Sequence, residues 1–338
     1  MSEKGITRRD VLRFAALGAV GTVISNDGNA QTTNDKEAMN RAGKMKTPPL
    51  TQSEMTAIET ALGKKGRYVE TESVYTVPLP RNDLKVSVKG ESVPISFGFG
   101  GWVSVKKTMD GKSAVLMSDT VLLEEEVNPL ISAAQANGLE ISAIHNHFFY
   151  ENPRIFYMHL HGMGEVATLA KSYAATIKNN KLFPANQPNV SAPTTTAKEI
   201  FDLPALDKIV GKTGAVNGAS YKYTIGRDDQ RILAMGAEMT ANIGLNTWAA
   251  FAGSAESAQI AGDVAMLEAE VNPVIKVLRQ NNLEVVALHH HMLFESPRII
   301  FLHYYGRGRA ETLARGFRAA LNELGVKAAT QTMTNHKM

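Results

Sequence analysis

Eight of the nine histidines fall in two short segments that repeat one another. The first runs His145-Asn146-His147, then Glu151, Pro153-Arg154 and His159-Leu160-His161. The second runs His289-His290-His291, then Glu295, Pro297-Arg298 and His303-Tyr304-Tyr305. Imidazole is the commonest protein metal ligand and titrates near neutrality, so two such clusters point to metal chemistry. The candidate ligands are His145, His147, His159 and His161 in the first segment, and His289, His291 and His303 in the second. Glu151 and Glu295 stand four residues beyond His147 and His291, as carboxylate ligands or general bases. Arg154 and Arg298 offer a bidentate fork to an anionic substrate, or a tie to acidic residues at a helix start. With zero cysteines, the donors are nitrogen and oxygen only. Imidazole suits zinc or copper, and nothing resembles the all-oxygen cage of calcium.

Strand alternation explains how such residues converge. With a turn centred on Pro153, partner numbers sum to 306, so His147 faces His159 and His145 faces His161. The odd-numbered histidines then share one face, with Ile144, Phe148, Phe156, Met158 and Leu160 forming an apolar back. Opposed side chains have Cβ atoms roughly 4.5–5.5 Å apart, close enough for two imidazoles to reach one ion. The second segment repeats this, except that Tyr305 replaces His161. The first copy can close a four-imidazole site; the second keeps three histidines, the pattern of a catalytic zinc with an open position.

The duplication extends well beyond the histidines. Asp119, Glu124, Glu126, Asn128 and Pro129 recur as Asp263, Glu268, Glu270, Asn272 and Pro273, and upstream Arg81, Asp83 and Trp102 recur as Arg227, Asp229 and Trp248. Each copy reads as alternating strands, a helix opening at Glu124 or Glu268, two further strands around the histidines and a closing helix. The ββββαββα order predicts an α+β fold: two homologous tandem domains, each a mainly antiparallel sheet with helices. The boundaries follow as a first repeat at 50–177, a polar linker at 178–196, a second repeat at 197–325 and a frayed tail at 326–338. The acidic helix starts suit the helix dipole, with a carboxylate that holds a ligand imidazole, or itself ligates, as the alternative. Trp102 and Trp248 read as core aromatics.

Residues 1–30 read as an export signal. Thr7-Arg8-Arg9-Asp10-Val11-Leu12-Arg13 is a twin-arginine motif, followed by a mildly apolar run too short to span roughly 30 Å of hydrocarbon. A flexible lead-in covers 31–49. These features predict transfer by the twin-arginine export machinery to the periplasm or beyond, with no stable membrane anchor after cleavage. The chain carries 36 basic and 33 acidic residues, and no basic block suggests nucleic acid.

The strings LEEEVNP and LEAEVNP ahead of HNHFFYENPR and HHHMLFESPR resemble the LppY/LpqO family of exported bacterial proteins, over about residues 50–325. That family is known chiefly as a domain of unknown function, and this chain lacks the lipid-attachment cysteine of its lipoprotein members. The resemblance implies association with the cell envelope and assigns no catalysis. Three functions therefore compete on the residues alone: a zinc or copper enzyme, hydrolytic in character; a metal storage or buffering protein; and a metal-free module for an envelope glycan or peptide. A ligand-sized cleft above the histidines favours an enzyme or binder, and a flush buried cluster favours storage.

Overall fold

A computed structural model of the chain describes residues 46–190 and 194–325. The expected export signal at 1–30, most of the lead-in at 31–49 and the tail at 326–338 lie outside the described residues. Among the described residues, no helix is long and apolar enough to cross a membrane.

The first copy opens with helix α1 (Gln52–Leu62). Thr51 caps it: the Thr51 hydroxyl accepts from the Glu54 N–H, and the Glu54 carboxylate accepts from the Thr51 N–H at 2.6 Å. Gly63 ends it in the left-handed region at φ 64°, which glycine adopts without a Cβ penalty. Strands β1 (Arg67–Val69), β2 (Val74–Pro80), β3 (Val86–Val88), β4 (Glu91–Val93), β5 (Gly100–Lys107) and β6 (Ala114–Leu123) follow. Helix α2 (Glu124–Ala136) then leads to β7 (Glu140–His145), the short β8 (Glu151–Asn152), β9 (Ile155–Gly164) and α3 (Val166–Ile177).

The second copy begins with two short helices, α4 (Ala197–Ile200) and α5 (Leu203–Val210). It then repeats the plan with β10 (Ala215–Asn217), β11 (Ser220–Gly226), β12 (Ile232–Ala234), β13 (Ala237–Met239), β14 (Asn246–Gly253) and β15 (Ala258–Leu267). Helix α6 (Val271–Gln280), β16 (Glu284–His289), β17 (Ile299–Gly308) and α7 (Ala310–Asn322) complete it. Each copy builds an antiparallel six-stranded sheet, ordered β1-β2-β5-β6-β9-β7 and β10-β11-β14-β15-β17-β16. The fold is α+β with two similar halves, as the strand–helix order predicts.

Alternation along the central strands decides the layering. Even-numbered Leu116 and Leu122 of β6 and Met158 and Leu160 of β9 are buried with Leu130, Leu169 and Tyr173 of the helices. In the second copy Ile260, Val264, Leu302 and Tyr304 do the same against Leu206, Leu278 and Phe317. Odd-numbered residues of β6, β9, β15 and β17 point the other way and pack across the boundary between copies, joined there by Phe148 and Trp248. Val121, Tyr157 and Phe148 meet Trp248, Ala261 and Tyr305, while Val115 and Met117 meet Ala265, Ile299 and Phe301. The layers are thus helices, sheet, sheet, helices, and both copies lie within one compact unit. The inner sheet faces are apolar at both ends, and the histidines occupy the middle.

Two expectations about the hairpin need correction. Strand β7 ends at His145, so Ala143 pairs with His159 and His145 with Tyr157, after a register shift between Ile141 and Ala143. Residues 146–150 leave the sheet and β8 pairs instead with β3, so Pro153 is not the centre of a tight turn. The apolar back face also breaks up. Met158 and Leu160 are core, but Ile144 and Leu288 are 42% and 51% exposed on the edge strands β7 and β16, and Phe148 enters the layer between the sheets.

Candidate metal centre between the two sheets

The same rung of each sheet carries the same three residues. Trp102 on β5 pairs with Asp119 on β6, which pairs with His159 on β9; Trp248, Asp263 and His303 repeat the row on β14, β15 and β17. His145 and His289 end the adjoining edge strands, and His147 and His291 follow in the loops. All eight of these polar residues are buried.

The two rows face each other, so the histidines of both copies form one cluster. The Nε2 atoms of His145 and His303 are 3.1 Å apart. Ring centroids of His145 and His289 lie 3.8 Å apart. The cross pairs His147–His303 and His159–His291 are 3.7 and 4.1 Å apart, as a pseudo-twofold relation between copies requires. Asp263 Oδ2 stands 3.1 Å from His291 Nε2, 3.8 Å from His303 Nε2 and 4.0 Å from His289 Nε2. Three triads bring their donor atoms within 4.8 Å of one another: His145, His159 and His289; His145, His147 and His303; and Asp263, His289 and His291.

Backbone carbonyls aim the rings. The Nδ1 atoms of His147, His291, His159 and His303 lie 3.2, 2.7, 3.0 and 3.1 Å from the carbonyl oxygens of Gly98, Gly244, Ser118 and Gly262. A carbonyl only accepts, so Nδ1 carries the proton and the Nε2 lone pair faces the centre. Gly244 adopts φ 96°, and a Cβ there would sit 3.1 Å from the Trp102 ring, so glycine suits this carbonyl's position.

The inward-facing donors have no partners among the described residues. Nε2 of His147 and His159, both nitrogens of His289, Oδ1 of Asp119 and both carboxylate oxygens of Asp263 are buried without a hydrogen bond. Burying so many polar atoms unpaired is costly unless something occupies the space between them. Burial pushes the imidazoles well below their ordinary value, His291 to about 3 and His303 to about 4. Burial raises Asp119 to about 8, with help from the Asp263 charge, and Asp263 to about 6. The imidazoles are therefore neutral at neutral pH, the form that binds metal.

A cavity of about 470 Å³ adjoins the cluster, with His147, His291, His303, Asp119 and Asp263 in its floor and Trp102 and Trp248 in its walls. Lys222 on β11 also lines it, with its Nζ 4.4 Å from the Trp248 ring centroid. Burial pulls the Lys222 ammonium below its ordinary value, opposed by the charges of Asp119 and Asp263.

Six of the seven histidines singled out from the sequence thus meet in one place. His161 does not: its Nε2 lies 2.8 Å from Glu140 Oε2, where β9 pairs with the start of β7. Its counterpart Tyr305 donates to Gln259 instead. Glu151 and Glu295 accept from the N–H groups of Ile155 and Ile299, bracing their loops, and do not line the cavity. Arg154 and Arg298 are exposed, Arg154 over the Phe156 ring. The helix-start glutamates bind different arginines: Glu126 accepts from Arg81 at 2.6 Å, and Glu270 from Arg227 at 2.7 Å.

Asp119 and Asp263 were legible only as members of the repeat. Their signal is a lone acid in the middle of a strand with no other charged residue, Ala114–Leu123 or Ala258–Leu267. Trp248 is buried and Trp102 half-buried, and both form walls of the cavity as well as packing between the sheets. Nothing in the sequence pattern marks Lys222, which replaces Thr76 of the first copy.

Together these features define a class: a duplicated antiparallel α+β domain that encloses a histidine–aspartate cluster between its two sheets. The chain belongs to the family described as Domain of Unknown Function (DUF1259), whose pattern matches residues 56–179 and again 204–323. No curated protein matches the chain. A solved structure that matches is that of EtuB from Clostridium kluyveri, with 8% identity over 67% of this chain and 87% of that one, at a TM-score of 0.17. That likeness is too slight to inform the fold.

Proposed function

We propose that this is an exported transition-metal enzyme whose single centre is built jointly by both copies. The observation that carries the reading is the set of orphaned donors: buried imidazole and carboxylate lone pairs converge from two sheets onto one space. The donor set is nitrogen and oxygen without thiolate, which suits zinc or copper. The converging triads support two ions, one held by His145, His147 and His303 and the other by Asp263, His289 and His291. A bound cation would also draw both aspartates into their ionised form.

The adjoining cavity favours catalysis over storage, because a storage site needs no room for a second molecule. When bound, the metal would supply Lewis acidity for a hydrolytic reaction. The protein's own contribution is to orient the imidazoles through four backbone carbonyls and to exclude bulk water. The twin-arginine motif and the resemblance to the LppY/LpqO family support export to the periplasm.

Metal content by plasma mass spectrometry, on protein purified without chelator or histidine tag, tests this. One or two equivalents of zinc or copper are expected. Protein that is metal-free and takes up neither ion at micromolar levels would shift the weight to a metal-free binding module.

A further inference from the structure

The cavity beside the cluster is not symmetric, and its asymmetry bears on what it holds. On the first copy's side Thr76 is tied down, its hydroxyl 2.8 Å from that of Ser104 and 3.2 Å from the Asn242 carbonyl. At the equivalent position of the second copy stands Lys222. Among the described residues it is the one lysine or arginine that lines the cavity, and none of them hydrogen-bonds its ammonium, on which burial and the charges of Asp119 and Asp263 act. Its nearest support is the face of Trp248, which attracts a cation but accepts none of its three N–H donors conventionally. Among the described residues, the acidic side chains in the cavity wall are Asp119 and Asp263. Those carboxylates also face the histidines, and a cation bound there would neutralise them and leave Lys222 without a countercharge.

The geometry points to a small organic oxyanion, a carboxylate or a phosphate monoester, as the ligand of this cavity. Its charged group would be anchored by Lys222, and its body would lie between the indoles of Trp102 and Trp248. A volume of about 470 Å³ fits a metabolite-sized molecule. This inference rests on the metal-centre reading, because the metal is what removes the competing claim of the two aspartates on the lysine. Lys222 is here a substrate-anchoring residue.

Trp102 and Trp248 are the chain's only two tryptophans, so intrinsic tryptophan fluorescence reports on this cavity alone. The experiment titrates metal-loaded full chain with inorganic phosphate and, in a parallel arm, with acetate. Wild type, Lys222→Met and Lys222→Arg are compared, and metal content and melting temperature are recorded for each. The expected result is a saturable change in wild type with at least one oxyanion. Affinity should fall about tenfold or more in Lys222→Met and be largely kept in Lys222→Arg, with metal content unchanged. The stronger of the two arms identifies the oxyanion class. A wild type that holds no metal overturns the metal reading and this inference with it. A metal-loaded protein that gives no saturable response, or whose affinity is the same in Lys222→Met, overturns this inference alone.

Discussion

His145 and His303 come from different copies of the repeat, yet their Nε2 atoms lie 3.1 Å apart. His303 directs its Nδ1 proton to the Gly262 carbonyl, so its Nε2 is a bare lone pair facing the other imidazole. Two separate sites, one per hairpin, would not place the copies this way. The cluster is shared, so under the proposed metal-centre reading a substitution in one copy should reach the candidate ligands of the other. His303→Ala is expected to reduce bound metal by at least one equivalent, whereas His161→Ala, whose Nε2 faces Glu140 away from the cluster, should keep the wild-type content. Metal analysis of the two variants decides the matter. Equal loss in both would return His161 to the ligand set.

The metal-free protein should lose stability on acidification. At pH values below about 6.5 an unfolded chain protonates its histidines. The six clustered imidazoles stay neutral in the fold because burial opposes their charge. The unfolded state then binds more protons, and stability falls as pH falls. Asp119 and Asp263 act in the opposite sense, since the fold holds protons on them that the unfolded chain releases above roughly pH 4. Six groups outweigh two between about pH 7 and pH 5. Thermal denaturation of chelator-treated protein should show a lower Tm at the acid end. A Tm that is unchanged or higher there contradicts the neutral buried cluster.

Gly262 is required by space, not by backbone angle. A Cβ added there would overlap the Trp248 carbonyl oxygen and the Tyr304 hydroxyl, so the strand that aims His303 must shift. Its counterpart in the first copy is Ser118, which carries a side chain without such a clash. Gly262→Ala is expected to cost about 1–3 kcal/mol in urea denaturation and to weaken metal binding. Ser118→Ala should change both little, because its hydroxyl has no partner to lose. Gly262→Ala with wild-type stability and metal affinity would show that the carbonyl does not set the ring.

The histidine cluster was legible because duplication printed it twice at one spacing, and because alternation keeps odd-numbered strand residues on one face. The register was not. A bulge near Ser142 and the departure of residues 146–150 from the sheet move His145 opposite Tyr157, and no turn signal in the sequence announces either event. Nor does spacing within one copy reveal that Asp119 shares a rung with His159, since that pairing joins strands far apart in the chain. The meeting of the two sheets is a packing outcome, written only in the apolar character of Val115, Val121, Ile299 and Phe301 on the same face as the histidines.

The arginines separate structure from chemistry. Arg227 is buried and ties Asp229, the Ala265 carbonyl and Glu270 together, with Glu270 itself only 4% exposed. Removing the guanidinium leaves a buried carboxylate uncompensated, which costs about 3–5 kcal/mol. Arg227→Ala should therefore unfold at markedly lower urea. Arg298 sits exposed after the loop proline and away from the cavity, so Arg298→Ala should stay within about 0.5 kcal/mol of wild type and keep its metal. Arg81, fully buried but paired with Asp83 and with a Glu126 more exposed than Glu270, should lose less stability on truncation than Arg227. A stable Arg227→Ala, or an Arg298→Ala that loses metal, would reverse the roles assigned to these two positions.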